Sequence, residues 1–201
     1  MYLSTFHNTP EDVDCKLCTQ SVRGKGCVAK SCPWIAERIE AGVVGYAEAV
    51  RSLFPKEAHL GARLRTAVKS FFGSLYLSAA HRQRMERLQT EMGYRPKRDS
   101  NSFIAAVYLL TADEDLFRRC DKCFRRSALA LDCAATRGIS TRNYALLCAA
   151  RDIYSGSTSL TLADLACKEL VDKLAFRLIL NATLIARYGS AVLGIRERSE
   201  P

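Results

Sequence analysis

The sequence lacks any run of about eighteen apolar residues, so it predicts no membrane span. It also lacks a charged start leading into an apolar stretch. Met1 to Asp12 reads Met-Tyr-Leu-Ser-Thr-Phe-His-Asn-Thr-Pro-Glu-Asp, which predicts no secretory signal and a cytoplasmic chain whose thiols stay reduced. Histidine is scarce: His7, His59 and His81 are scattered, and none sits in a His-Glu-x-x-His pattern. No Gly-x-Ser-x-Gly elbow is present, and no phosphate-cradling glycine loop opens a helix. Asp113, Glu114 and Asp115 cluster where a helix is expected to start, and there they serve its cap and dipole. These absences remove the catalytic classes that announce themselves by motif, and the expectation is a protein that is not an enzyme. Convincing period-two alternation is missing as well, which points to an all-α fold.

What the chain does have is cysteine in one specific arrangement. Cys15, Cys18, Cys27 and Cys32 occupy Cys-x2-Cys and Cys-x4-Cys pairs, separated by eight residues that include Gly24-Lys25-Gly26. Close thiol pairs joined by a turn suit structural zinc, which takes four soft ligands tetrahedrally in a closed site. Four unligated buried thiols are the bland alternative, but the segment is poor in large apolar residues that would bury them. A disulfide is disfavoured in a reducing compartment. His7 is a conceivable substitute ligand, although a lone histidine near a terminus is more often solvated.

The net charge of +9 is unevenly spread. Residues 56–98 hold ten Lys/Arg against three Asp/Glu, while residues 1–55 and 99–137 each balance. Arg63, Lys69, Arg82, Arg84 and Arg87 fall on two amphipathic helices, with Arg95, Lys97 and Arg98 just beyond. Such a surface suits phosphate, because Lys and Arg displace condensed counterions without any base-specific contact. It equally suits an acidic protein face. A solvated helix face is the ordinary alternative, and a membrane surface is not expected because the apolar positions are needed for the core.

Periodicity predicts helices from Pro33 to Gly42 and from Val44 to Phe54, then an amphipathic helix through Leu60, Leu64, Val68 and Phe71. A longer helix follows from Leu75 to Met92. Gly93 and Pro96 close it, and an exposed linker runs over 95–102. Phe103 to Leu110 is apolar around its whole circumference and predicts a central buried helix. Thr111 and Glu114 suggest a capping box for a helix reaching Arg137, with Gly138 as its stop. Helices from Ser140 or Thr141 to Tyr154 and from Asp172 to Tyr188 follow, with a short one opened by Thr161 between them. The expected organisation is a zinc knuckle with short helices (1–55), a basic helical hairpin (56–98) and a helical body (99–201), the last two packed as one domain.

Two further strings have chemical potential. Phe117-Arg-Arg-Cys-Asp-Lys-Cys-Phe-Arg-Arg places Cys120 and Cys123 on one predicted helical face, with Cys133 further along. Core thiols explain them better than a second metal, since a helix spaces thiols poorly and no second pair follows. Arg118, Arg119, Arg125 and Arg126 would then face outward and extend the phosphate-binding surface. Cys148 and Cys167 lie in apolar runs and are expected to pack. Residues 161–188 resemble a helix-turn-helix loosely, but Glu169 or Leu170 stands where the turn would want glycine, so a structural hairpin is preferred.

From Asn101 to Ala191, the strings Phe103-Ile-Ala-Ala-Val-Tyr-Leu-Leu-Thr-Ala-Asp-Glu-Asp-Leu, Tyr144-Ala-Leu-Leu-Cys-Ala-Ala-Arg-Asp-Ile-Tyr and Leu160-Thr-Leu-Ala-Asp-Leu-Ala resemble small uncharacterised proteins of conjugative elements and prophages of Gram-positive gut bacteria. The resemblance implies an accessory gene of a mobile element: a replication or transfer factor, a regulator, or an inhibitor of host defence such as an anti-CRISPR protein. The expected function is therefore a zinc-stabilised protein that binds nucleic acid or a nucleoprotein. The alternative is a protein–protein inhibitor or adaptor that turns its basic face to an acidic partner.

Overall fold

Ser100 accepts a hydrogen bond from the Phe103 amide and starts helix α5 (Asn101–Leu110), all eight of whose residues from Phe103 to Leu110 are buried. A helix apolar on every side needs neighbours on every side. It packs on α7 (Thr141–Ser155) and α9 (Lys173–Tyr188), which also pack on each other. The computed structural model describes residues 7–22, 26, 27, 29, 32–54, 59–94, 100–126 and 128–196.

Around this centre the described residues form α1 (Ile35–Glu40), α2 (Tyr46–Leu53), α3 (Gly61–Lys69), α4 (Ala79–Met92), α6 (Glu114–Arg119) and α8 (Leu162–Ala166). Helices α2 and α3 both reach α9, and one cluster of buried side chains runs from Ile35 to Ile195. The fold is all-α apart from a small antiparallel hairpin, β1 (Ser21–Val22) with β2 (Gly26–Cys27), in register Ser21 opposite Cys27. Among the described residues no helix is long and apolar enough to cross a membrane.

Three boundaries differ from the sequence expectation, each for a local reason. Helix α4 begins at Ala79 because the Ser78 hydroxyl caps it. Leu75 instead lies buried in an irregular stretch that follows Gly73 (φ 82°). The Thr111 hydroxyl turns back onto the Val107 carbonyl at 2.8 Å, so Asp113 rather than Thr111 caps α6. Helix α6 stops at Arg119 instead of Arg137. Two single 3-10 turns and a bridge between Phe124 and Leu129 replace the expected continuation.

The polar groups around α5 and α9 are joined in a network. Asn181 of α9 accepts from the Tyr46 hydroxyl at 2.7 Å and donates to the Leu75 carbonyl at 3.1 Å. The Tyr108 hydroxyl meets the same carbonyl and the Asn181 amide. His81 is completely buried; its Nδ1 accepts from the Leu77 amide, so Nε2 carries the proton and donates to the Tyr108 carbonyl at 2.9 Å. Burial pushes its ring down to about 4, the contact with Tyr108 opposing this only in part.

Candidate functional site

Asp14 accepts from the Lys16 amide and opens a 3-10 turn over Cys15–Leu17; Cys18 follows, its carbonyl accepting from Ser21 at the hairpin's start. Cys27 lies on β2, and Cys32 directly precedes the Pro33-Trp34 entry to α1. All four thiols border one concavity of about 580 Å³, which is also walled by Trp34, Glu37, Arg38 and Glu48. The Gln20 amide lies 3.4 Å from Cys18 Sγ and Arg38 lies 3.9 Å from Cys32 Sγ, each placed to donate. Arg38 also pairs with Glu48 at 2.6 Å. Among the described residues Glu37 Oε2 and Arg38 Nε are buried without a hydrogen-bond partner. Also among them, no three His, Cys, Asp or Glu side chains are drawn together as closely as a metal ion requires. His7 stands apart from the thiols. It meets Glu40 at 2.9 Å, and with Asn8 it holds that carboxyl below the usual carboxylate range.

The donor set fits zinc chemically. Four thiolates around Zn²⁺ leave a double negative charge, and N–H groups aimed at sulfur, with one cation among them, offset part of it. Cys120 and Cys123 are different. Both are wholly buried; the hydrogen bond between them, with burial, pushes the Cys120 thiol up, and the same bond holds Cys123 down. Cys133 is exposed on a separate 3-10 turn, not on the same helix. Cys148 is buried as expected, whereas Cys167 stays outside the core with its thiol 3.2 Å from Glu169.

The expected cations divide by what their guanidinium groups already do. Arg63 lies over the Phe176 ring, 4.3 Å from its centroid, and donates to the carbonyls of Leu165, Cys167, Val171 and Asp172. Arg84 donates to the Thr111 and Ala112 carbonyls at the end of α5. Arg119 binds Asp115 and the carbonyls of Ala135, Arg137 and Gly138. These three serve the fold. Lys69, Arg82, Arg87, Arg118, Arg125 and Arg126 are exposed, while Arg95, Lys97 and Arg98 lie outside the described residues.

One of the exposed group, Arg87, meets the second basic string although the sequence separates them. Three contacts lay α4 alongside residues 111–125: Arg84 on Thr111, Arg87 over the Phe117 ring at 5.6 Å, and the Tyr94 hydroxyl on the Arg125 carbonyl at 2.6 Å. Between the two lies a concavity of about 470 Å³ lined by Gln83, Arg84, Arg87, Glu114 and Phe117. Its positive field is tempered, since Arg82 pairs with Glu86, Arg87 with Glu91 at 3.6 Å, and Arg118 with Asp115. The helix-turn-helix-like stretch is structural. Thr161 and Asp164 form a reciprocal capping box on α8, and nine residues of α9 are buried, leaving little of it to read a groove. Compared with protein families, curated proteins and solved structures, the chain matches none.

Proposed function

We propose that this chain is a non-enzymatic, zinc-stabilised accessory protein of a mobile element that binds nucleic acid or a nucleoprotein. The observation that carries the binding surface is Arg87 of α4 lying over the Phe117 ring, next to the string that bears exposed Arg118, Arg125 and Arg126, with Arg82 exposed on the same helix. Two basic strings far apart in sequence would then serve one ligand as a single track, and the surface salt bridges of Arg82, Arg87 and Arg118 are weak enough for phosphate to displace. Zinc, held by Cys15, Cys18, Cys27 and Cys32, fixes Pro33, Trp34 and α1 against the rest. The shared concavity and the two N–H groups aimed at sulfur support that role.

The test is anisotropy of labelled DNA and RNA across a salt series with Arg82→Glu, Arg87→Glu and Arg118→Glu combined. Arg63, Arg84 and Arg119 are left intact to preserve the fold. The expected result is a loss of roughly tenfold or more and a shallower salt slope, because each lost phosphate contact removes about one unit of it. Unchanged affinity and slope would sink this reading. A protein that purifies free of nucleic acid and shifts only with an acidic protein would instead establish the inhibitor or adaptor, the anti-CRISPR-like alternative. The carboxylates interleaved at Glu86 and Glu91 favour that alternative in one respect, since they repel phosphate.

A further inference from the structure

Two stretches of the chain, residues 58–85 and 173–196, contain no acidic residue. The fold packs the first onto the second, α3 against α9. With Arg63 turned inward, Arg65 and Lys69 remain exposed one turn apart on α3, and Lys173 stands exposed one turn from Arg177 on α9. Among the described residues none of Arg65, Lys69 or Lys173 has an acidic partner, and the adjacent Asp172 is taken by Arg142 at 2.6 Å. Arg177 instead lies over the Phe72 ring, 4.7 Å from its centroid. Phe72 is 55% exposed, although its neighbour Phe71 is buried and stacked on Tyr46.

A lone exposed aromatic is ordinary. An aromatic ring braced by a guanidinium, on two packed helices that carry further exposed cations without an acidic partner among the described residues and no carboxylate of their own, is a more specific composition. Single-stranded nucleic acid exposes both flat bases to stack on a ring and phosphates to meet Lys and Arg. A duplex hides its base faces and would leave the ring idle, and the carboxylates of an acidic protein face meet the cations but do not stack on the ring. We propose that Phe72 and Arg177 form a base-stacking platform for single-stranded nucleic acid, with Arg65, Lys69 and Lys173 following the phosphates. This rests on the reading that the chain binds nucleic acid, but it uses different residues from the α4 track.

The experiment measures anisotropy of a labelled oligothymidine of about fifteen nucleotides, and of a duplex of the same length, against four proteins. These are wild type, Phe72→Ala, Phe72→Tyr and the α4-track triple variant. Phe72→Ala is expected to weaken single-strand binding roughly five- to 150-fold, the worth of one stacked base, with duplex binding unchanged. Phe72→Tyr, which keeps a ring, is expected to restore it. If Phe72→Ala leaves single-strand affinity intact while the triple variant loses binding, the platform is wrong and the α4 track stands. Equal loss on both ligands, or failure of tyrosine to rescue, also overturns the platform. Wild type that binds neither oligonucleotide overturns both readings.

Discussion

His81 is held neutral by its burial and by the Arg84 guanidinium nearby, which disfavours a second positive charge; the Leu77 amide occupies Nδ1, and the Tyr108 carbonyl on Nε2 opposes the effect only in part. The folded ring titrates near 4 against 6.5 for a free one, so between those values the unfolded chain binds the proton that the folded chain refuses. Stability from this group is complete above about 6.5 and is lost as the pH falls toward 4, by about 3 kcal/mol. Carboxylates held low by backbone and side-chain donors, such as Asp152 and Asp164, titrate below this window and add their loss further down. Urea midpoints at pH 7 and pH 4.5 test the point. His81→Gln, which has no titrating ring, should flatten the difference. An equal pH loss in both proteins would place it elsewhere.

At the scale of elements, the cysteine lobe carries a clear expectation. If zinc holds the hairpin, protein purified without chelator contains one metal per chain, and Cys15→Ser and Cys27→Ser each lose it. The hairpin and α1 then loosen while the core on α5 persists, because a metal site's binding energy goes into folding its own ligand loops. Full stability without metal in wild type would overturn this. The cysteine spacing and the buried α5 were legible in the sequence because each rests on local pattern. The end of α6 at Arg119 was not. Its cue is tertiary: the Cys123 carbonyl takes the Ala130 amide and the Arg119 carbonyl takes the Ala135 amide, pairings that a continuous helix could not make. Arg63, Arg84 and Arg119 could not be told from surface cations either, since a guanidinium on a helix reads the same whether it meets water or a distant carbonyl. The two short strands escaped notice because two residues are too few to show alternation.

At the scale of the whole molecule, charge and connectivity work separately. Exposed cations of α3, α4, α9 and residues 118–126 supply the proposed surfaces, while Arg63, Arg84 and Arg119, turned inward, join parts of the chain that the helices alone leave apart. Arg63 is the extreme case, binding carbonyls 102 to 109 residues away in sequence. In kinetic terms it is a late latch. Contacts of such separation form after the loop between them has closed, so they contribute little to the folding transition state. Removing them should act mainly on the unfolding limb. Arg63→Ala is therefore expected to unfold roughly tenfold or more faster, from the loss of charge-assisted bonds worth about 2 kcal/mol, with its refolding rate within about twofold of wild type. A chevron plot separates the limbs, and slowed refolding would make Arg63 part of the nucleus instead. As a latch, this one guanidinium sets how long the α3–α9 face survives once formed rather than how quickly it forms.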